Sequence, residues 1–186
     1  MATTYEEIRA PFEQAQAYVL DDLDRIVKTS GGNYVAAVLI TCACDAFSAF
    51  KYGKSKRGER FFEELLPDKW RPIAKSLYGA IRHGLVHSYD TQLISIGGRE
   101  LDIIISWGQK AHLHVSTDEK RIYVNIQNLA SDFRAAVIRF SADLQKDAKL
   151  RETFAKSWKR SRKMRIGQPE TAQWEKCLRQ ADRETT

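Results

Sequence analysis

From about Tyr34 to Tyr52 the chain is apolar nearly all round a helix, with Val35, Ala36, Val38, Leu39, Ile40 and Cys42 leaving little polar face. A helix of that kind has to be surrounded, which places it at the centre of a bundle. The run without a charge starts near Gly31 and is stopped by Asp45, well short of the roughly 20 apolar residues that a membrane span requires. The expectation is a helical core with no transmembrane segment and no membrane partner.

The flanking segments fit around such a core. Thr4 and Glu7 form a capping-box pair ahead of Ile8, Phe12, Ala15, Val19, Leu20 and Leu23, so a first helix runs to about Lys28 and ends at Ser30-Gly31-Gly32. After a basic loop at 53–58, a short helix carries Phe61, Phe62, Leu65 and Leu66 to Pro67, and another carries Trp70, Ile73, Leu77, Tyr78 and Ile81. From Thr91 the apolar period changes to two. Leu93 to Ile126 then reads as three or four strands, with turns at Gly97-Gly98, Gly108 and residues 117–120. A last amphipathic helix starts near Asn128 and continues to about Trp158. The predicted fold is mainly α: a helical bundle with a small inserted antiparallel β-sheet at about 91–126. A single domain covers 1–165, and 166–186 is expected as a loose polar tail.

Charge is unevenly placed. The net charge is +6, yet between Lys146 and Arg165 nine basic residues face two acids, so the remainder is close to neutral. Such a block on a balanced protein is the electrostatic footprint of a nucleic-acid binder, and solvated helix ends also produce it. Lys159, Arg160, Arg162 and Lys163 from this block, with Lys54, Lys56 and Arg57 from the earlier loop, are the candidate RNA-binding residues. Trp158 and Tyr52, lying beside basic residues, are candidate platforms for base stacking. The three cysteines suit neither a disulfide framework nor a zinc knuckle, and the acidic start is unlike a signal peptide. A cytoplasmic location is expected.

Half of the four histidines fall in Arg82-His83-Gly84-Leu85-Val86-His87-Ser88-Tyr89, at the end of an apolar helix. A histidine moves protons near neutral pH, and an arginine holds the charge that gathers on an attacked phosphate. This residue set suits RNA cleavage without a metal. Arg82 and His87 are five residues apart, which on a regular helix separates them by about 140°. They could share a groove if the helix loosened at Gly84, or line a common cleft if two copies of the chain met about a two-fold axis. Two copies of His87 would then supply the one base and one acid that attack by a 2′-hydroxyl calls for. Asp45, costly to bury alone in the apolar helix, is expected to orient Arg82 or His87, with Lys51 or a backbone cap as alternatives.

These residues resemble the HEPN (higher eukaryote and prokaryote nucleotide-binding) family, whose helical domains carry R-x(4–6)-H on a core helix and in some toxins R-x-x-x-x-H-x-Y. The resemblance implies Arg82 and His87 as the catalytic pair, His83 at the polar position that follows the arginine, and Tyr89 as the tyrosine of the toxin subset. It implies a homodimeric, metal-independent endoribonuclease with no cofactor, leaving a 2′,3′-cyclic phosphate, in a toxin–antitoxin or antiviral setting. An antitoxin or nucleotidyltransferase partner that modifies the tyrosine is also implied. The alternative is a non-catalytic module of the same fold that binds RNA, nucleotides or a protein.

Structural readings stand beside these. Arg82 and His87 would also suit a helix C-terminus capped at Gly84, where cations are favoured. His112 and His114 alternate on a predicted strand and share a face, with no third metal ligand nearby; exposed strand histidines explain them. Trp70, Trp107, Phe61 and Phe62 are expected in the packing.

Overall fold

The computed structural model describes residues 3–29, 31–53, 57–108, 111–116, 118, 120–163 and 168–184, the side chains at 168–170 and 180–184 excepted. Its first helix, α1 (Tyr5–Lys28), starts at the capping box, with Thr4 N–H donating to Glu7 Oε2 at 2.8 Å. It buries Ile8, Phe12, Ala15 and Leu23. The apolar helix α2 (Asn33–Tyr52) lies between Gly32 and Gly53, both in the left-handed conformation that glycine adopts without strain. Its 20 residues reach a mean hydropathy of 1.5 over their most apolar window, long and apolar enough to cross a membrane by composition, and half of that window is buried among the other helices.

α3 (Gly58–Glu63) and α4 (Ala74–Ser88) pack against α2 and against each other, and a 3₁₀ turn (Asp68–Ile73) packs on α4. α5 (Ile126–Lys146) and α6 (Ala148–Ser161) pack against α2 and α1 as well. Between them Phe12, Phe47, Phe50, Phe61, Phe133, Phe140 and Phe154 build a continuous aromatic core, mostly in edge-to-face contacts of 5–7 Å that suit ring quadrupoles. Trp70, Phe61 and Phe62 are buried in this packing, and Trp107 is packed at its edge.

The predicted last helix is in fact two. Asp147 leaves helical geometry, and its carboxylate accepts the N–H groups of Lys149 at 2.8 Å and Leu150 at 3.0 Å, so it ends α5 and caps α6. Arg151, part of the basic run, is spent on the same junction: it donates to the carbonyls of Thr3 and Leu144.

The sheet differs from the predicted antiparallel one. Its strands β1 (Ile94–Ile96), β2 (Arg99–Ser106), β3 (His114–Ser116) and β4 (Arg121–Asn125) lie in the order β1-β2-β4-β3, and β2 pairs with β4 in parallel. The connection at 107–120 is long enough for the crossover a parallel pair needs. Ile103, Ile105, Ile122 and Val124 are buried together by this pairing. The strand expected over Ala111–Val115 is shorter as well: Leu113 has φ 52, and the strand starts only at His114.

The expected loose tail contains a helix, α7 (Gln168–Glu184), whose residues from Thr171 to Arg179 are all exposed, Trp174 and Leu178 included. The four-residue spacing of that apolar pair is a helical signal inside a polar sequence.

Candidate functional site

The site is organised by Asp45, midway along α2. Its Oδ2 accepts a hydrogen bond from Arg82 Nε of α4 at 2.8 Å, and its Oδ1 accepts the Gly58 N–H at the start of α3 at 3.2 Å. Both side chains of the ion pair are more than two-thirds buried, at 29% exposed for Asp45 and 27% for Arg82. A Cβ at Gly58 would press on Tyr78 Oη and Asp45 Oδ1, so a side chain there would have to displace those two groups. One carboxylate thus ties α2, α3 and α4 together. Lys51 is occupied elsewhere, 2.8 Å from Glu64.

Charge at this point is set by burial and by that carboxylate. Burial alone pulls the Arg82 guanidinium down, and the Asp45 charge, the neighbouring Tyr78 and the Asp45 hydrogen bond together more than reverse it, so it is held cationic. Tyr78 is pushed well above the ordinary tyrosine range by burial and by the Asp45 charge. A group whose folded pKa is raised contributes stability that is complete below the unfolded value of about 10 and is lost as pH rises above it. Alkaline unfolding is therefore expected to begin above about pH 10, and Tyr78→Phe should flatten the fall. A denaturant midpoint series from pH 8 to 11 reads this; an unchanged slope in the variant would refute the assignment.

Arg82 opens onto a cavity of about 590 Å³ lined by Asp45, Glu59, Lys75, Tyr78, Arg82 and His83. His87 is not among its walls. It is exposed one turn further on, its ring nearly parallel to that of His83 at 13° with centroids 5.9 Å apart. The helix does not loosen at Gly84, and Gly84 is not its cap: α4 runs unbroken to Ser88 and ends at Tyr89, which has φ 55. Gly84 is buried where the chain doubles back. A Cβ there would meet the Asp90 carbonyl oxygen, and Gln92 N at 2.7 Å. Gln92 N–H in turn donates to the Ala80 carbonyl at 3.1 Å. Within one chain, therefore, Arg82 and His87 stay apart around the helix. Tyr89 is exposed, with its ring 6.3 Å from that of Tyr34.

The basic candidates divide. Lys54 and Lys56 lie outside the described residues, and Arg57 is exposed just ahead of α3. Lys159, Arg160, Arg162 and Lys163 are exposed at the end of α6. Arg160 donates to the Gly53 carbonyl at 3.2 Å, which brings this cluster beside the end of α2 and the start of the basic loop. Neither aromatic candidate is a free platform. Arg60 covers the Tyr52 ring at 4.5 Å and the Tyr52 hydroxyl is bonded to Glu64, while Trp158 packs on Phe50 and Phe154 under Arg162.

His112 and His114 do not form a same-face strand pair, because His112 precedes the turn at Leu113. The His112 side chain is only 11% exposed, with Nε2 3.4 Å from Asp132 Oδ2 of α5, while His114 is exposed on β3. Glu59, Lys75 and Tyr78 are site residues that the sequence did not single out. For the last two a signal existed, since Lys75 and Tyr78 precede Arg82 by seven and four residues and so share its helix face.

No family model, no curated protein and no solved structure matches this chain.

Proposed function

We propose that this protein is a metal-independent endoribonuclease of the HEPN type, working as a cytoplasmic homodimer in a toxin–antitoxin or antiviral setting. The observation that carries the reading is Arg82. It is held cationic and aimed by Asp45 at the wall of an open cavity, on the same helix as two exposed histidines. Buried ion pairs are also used for fold specificity alone, but this one leaves the two terminal nitrogens of Arg82 unbonded among the described residues. Those nitrogens suit a phosphate.

In this mechanism His87 takes the proton of a ribose 2′-hydroxyl, the 2′-oxygen attacks the adjacent phosphorus, and Arg82 neutralises the charge that develops. Support for a second copy comes from apolar residues exposed on the two helices that carry the ion pair, Val35 and Cys42 of α2 and Val86 of α4. A two-fold interface there would bring the two motif helices towards one cleft.

The basic surface beside Gly53 is the proposed track for the RNA backbone. Replacing Lys159, Arg162 and Lys163 by glutamine should weaken single-stranded RNA binding and flatten its log–log salt dependence by about 0.7 for each phosphate no longer neutralised. An unchanged slope would remove these residues from the track.

The deciding experiment is cleavage of RNA in the presence of EDTA by the wild type and by His87→Ala, with the dimer checked by light scattering. Cleavage by the wild type alone is expected. A folded wild-type dimer that binds RNA and never cleaves it would favour the non-catalytic binding module instead.

A further inference from the structure

The proposed reaction needs an acid as well as a base, and α4 places a second imidazole where one chain can use it. Because the helix is unbroken through Gly84, Arg82 and His87 differ by about 140° around its axis and do not share a wall. His83 stands between them. It lines the Arg82 cavity, and it lies one turn before His87 with the two rings nearly parallel and 5.9 Å apart. It is a proton-carrying side chain placed next to both the phosphate-holding arginine and the proposed base.

We propose that His83 is the general acid of the cleavage, acting with His87 of the same chain. This rests on the ribonuclease reading above. It departs from the arrangement in which two copies of His87 divide the roles. The proton leaves the 2′-hydroxyl for neutral His87, the 2′-oxygen bonds to phosphorus, and the bond from phosphorus to the 5′-oxygen breaks. Protonated His83 gives its proton to that oxygen. The products are a 2′,3′-cyclic phosphate and a 5′-hydroxyl, and solvent exchange restores both imidazoles.

The groups facing His83 across the cavity are Lys75, Tyr78 and Arg82 from its own helix, Asp45 from α2 and Glu59 from α3. Arg82 and Asp45 form an ion pair, and Lys75 and Glu59 bring one charge of each sign to the remaining wall. The position follows the arginine directly in sequence, and a polar residue there could serve simply to hold the helix surface. Asparagine keeps that polarity and cannot shuttle a proton.

The test compares wild type, His83→Asn and His87→Asn on ordinary RNA and on an RNA with sulfur in place of the bridging 5′-oxygen at the cleavage site. A thiolate leaves without a proton. Both variants should cleave ordinary RNA at least about 100-fold more slowly than wild type. His83→Asn should lose the alkaline limb of the pH–rate profile and regain cleavage on the sulfur RNA, whereas His87→Asn should regain none. Both histidines are exposed, so the variants should fold. Wild-type rates in His83→Asn, or no selective rescue by sulfur, would overturn the assignment and leave the reading of the site standing. A wild type that cleaves neither RNA would remove that reading and this assignment together.

Discussion

Arg82→Lys is expected to lower RNA cleavage by about 100-fold or more while leaving the fold almost unchanged. The positive charge stays, so Asp45 keeps a cation near it. What is lost is geometry. Arginine gives Nε to Asp45 Oδ2 at 2.8 Å and still presents two further nitrogens in a fixed plane. Lysine has one ammonium on a flexible stem, and it cannot hold the carboxylate and fork a phosphate at once. Exposed ion pairs contribute at most about 1 kcal/mol, and this two-thirds-buried one somewhat more, so a melting temperature within a few degrees of wild type should accompany the kinetic loss. Full activity in Arg82→Lys would reduce Arg82 to a structural ion pair. A collapse of stability would show that the arginine chiefly holds the bundle.

Gly84→Ala is the substitution expected to damage the protein most. In a helix interior, glycine to alanine ordinarily adds up to about 1 kcal/mol of stability. At Gly84 the sign should reverse, because the new methyl group would press on the backbone of the returning chain at Asp90 and Gln92 rather than on a flexible side chain. Overpacking of this kind costs about 1–3 kcal/mol, and at roughly 2–4 °C per kcal/mol for a chain of this size the melting point should fall by several degrees. It should also displace Tyr89 and the start of β1, since both hang from that turn. Gly79, on the same helix, has nothing within 4 Å of where a Cβ would stand and is the internal control. Gly79→Ala should raise the melting temperature. Equal effects at the two positions would mean that the close approach at Gly84 does not exist in solution.

Much of the bundle is legible in the sequence because its signals are local. The capping box at Thr4 and Glu7, the all-round apolar run of α2 and the glycines at its ends all act within a few residues of themselves. Asp45 is legible as a charge needing a partner, but not which partner, since Lys51, Arg82 and His87 all meet the chemical requirement. Only the packing of α2 against α4 selects Arg82, and it sends Lys51 to Glu64.

The sheet shows the same division. Alternation marks the strands, whereas the parallel pairing of Ile103 with Ile122 depends on a crossover that no local period encodes. The helix break at Asp147 is hidden because the apolar spacing continues on both sides of it, while its carboxylate caps the next helix. Gly84 misleads for a related reason. A glycine near the end of a helix usually reports a cap, and here it reports a close approach of backbone from outside the helix.

The central claim is attack by the substrate's own 2′-hydroxyl, and the chemistry of the product ends tests it most directly. A defined RNA is cut by the wild type in EDTA, and the fragments are assayed for their termini, beside the same sequence carrying a 2′-deoxy sugar at the cleavage site. The account predicts a 2′,3′-cyclic phosphate and a 5′-hydroxyl from the RNA and no cutting at the deoxy position. A 3′-hydroxyl with a 5′-phosphate, or cleavage at the deoxy sugar, would contradict it.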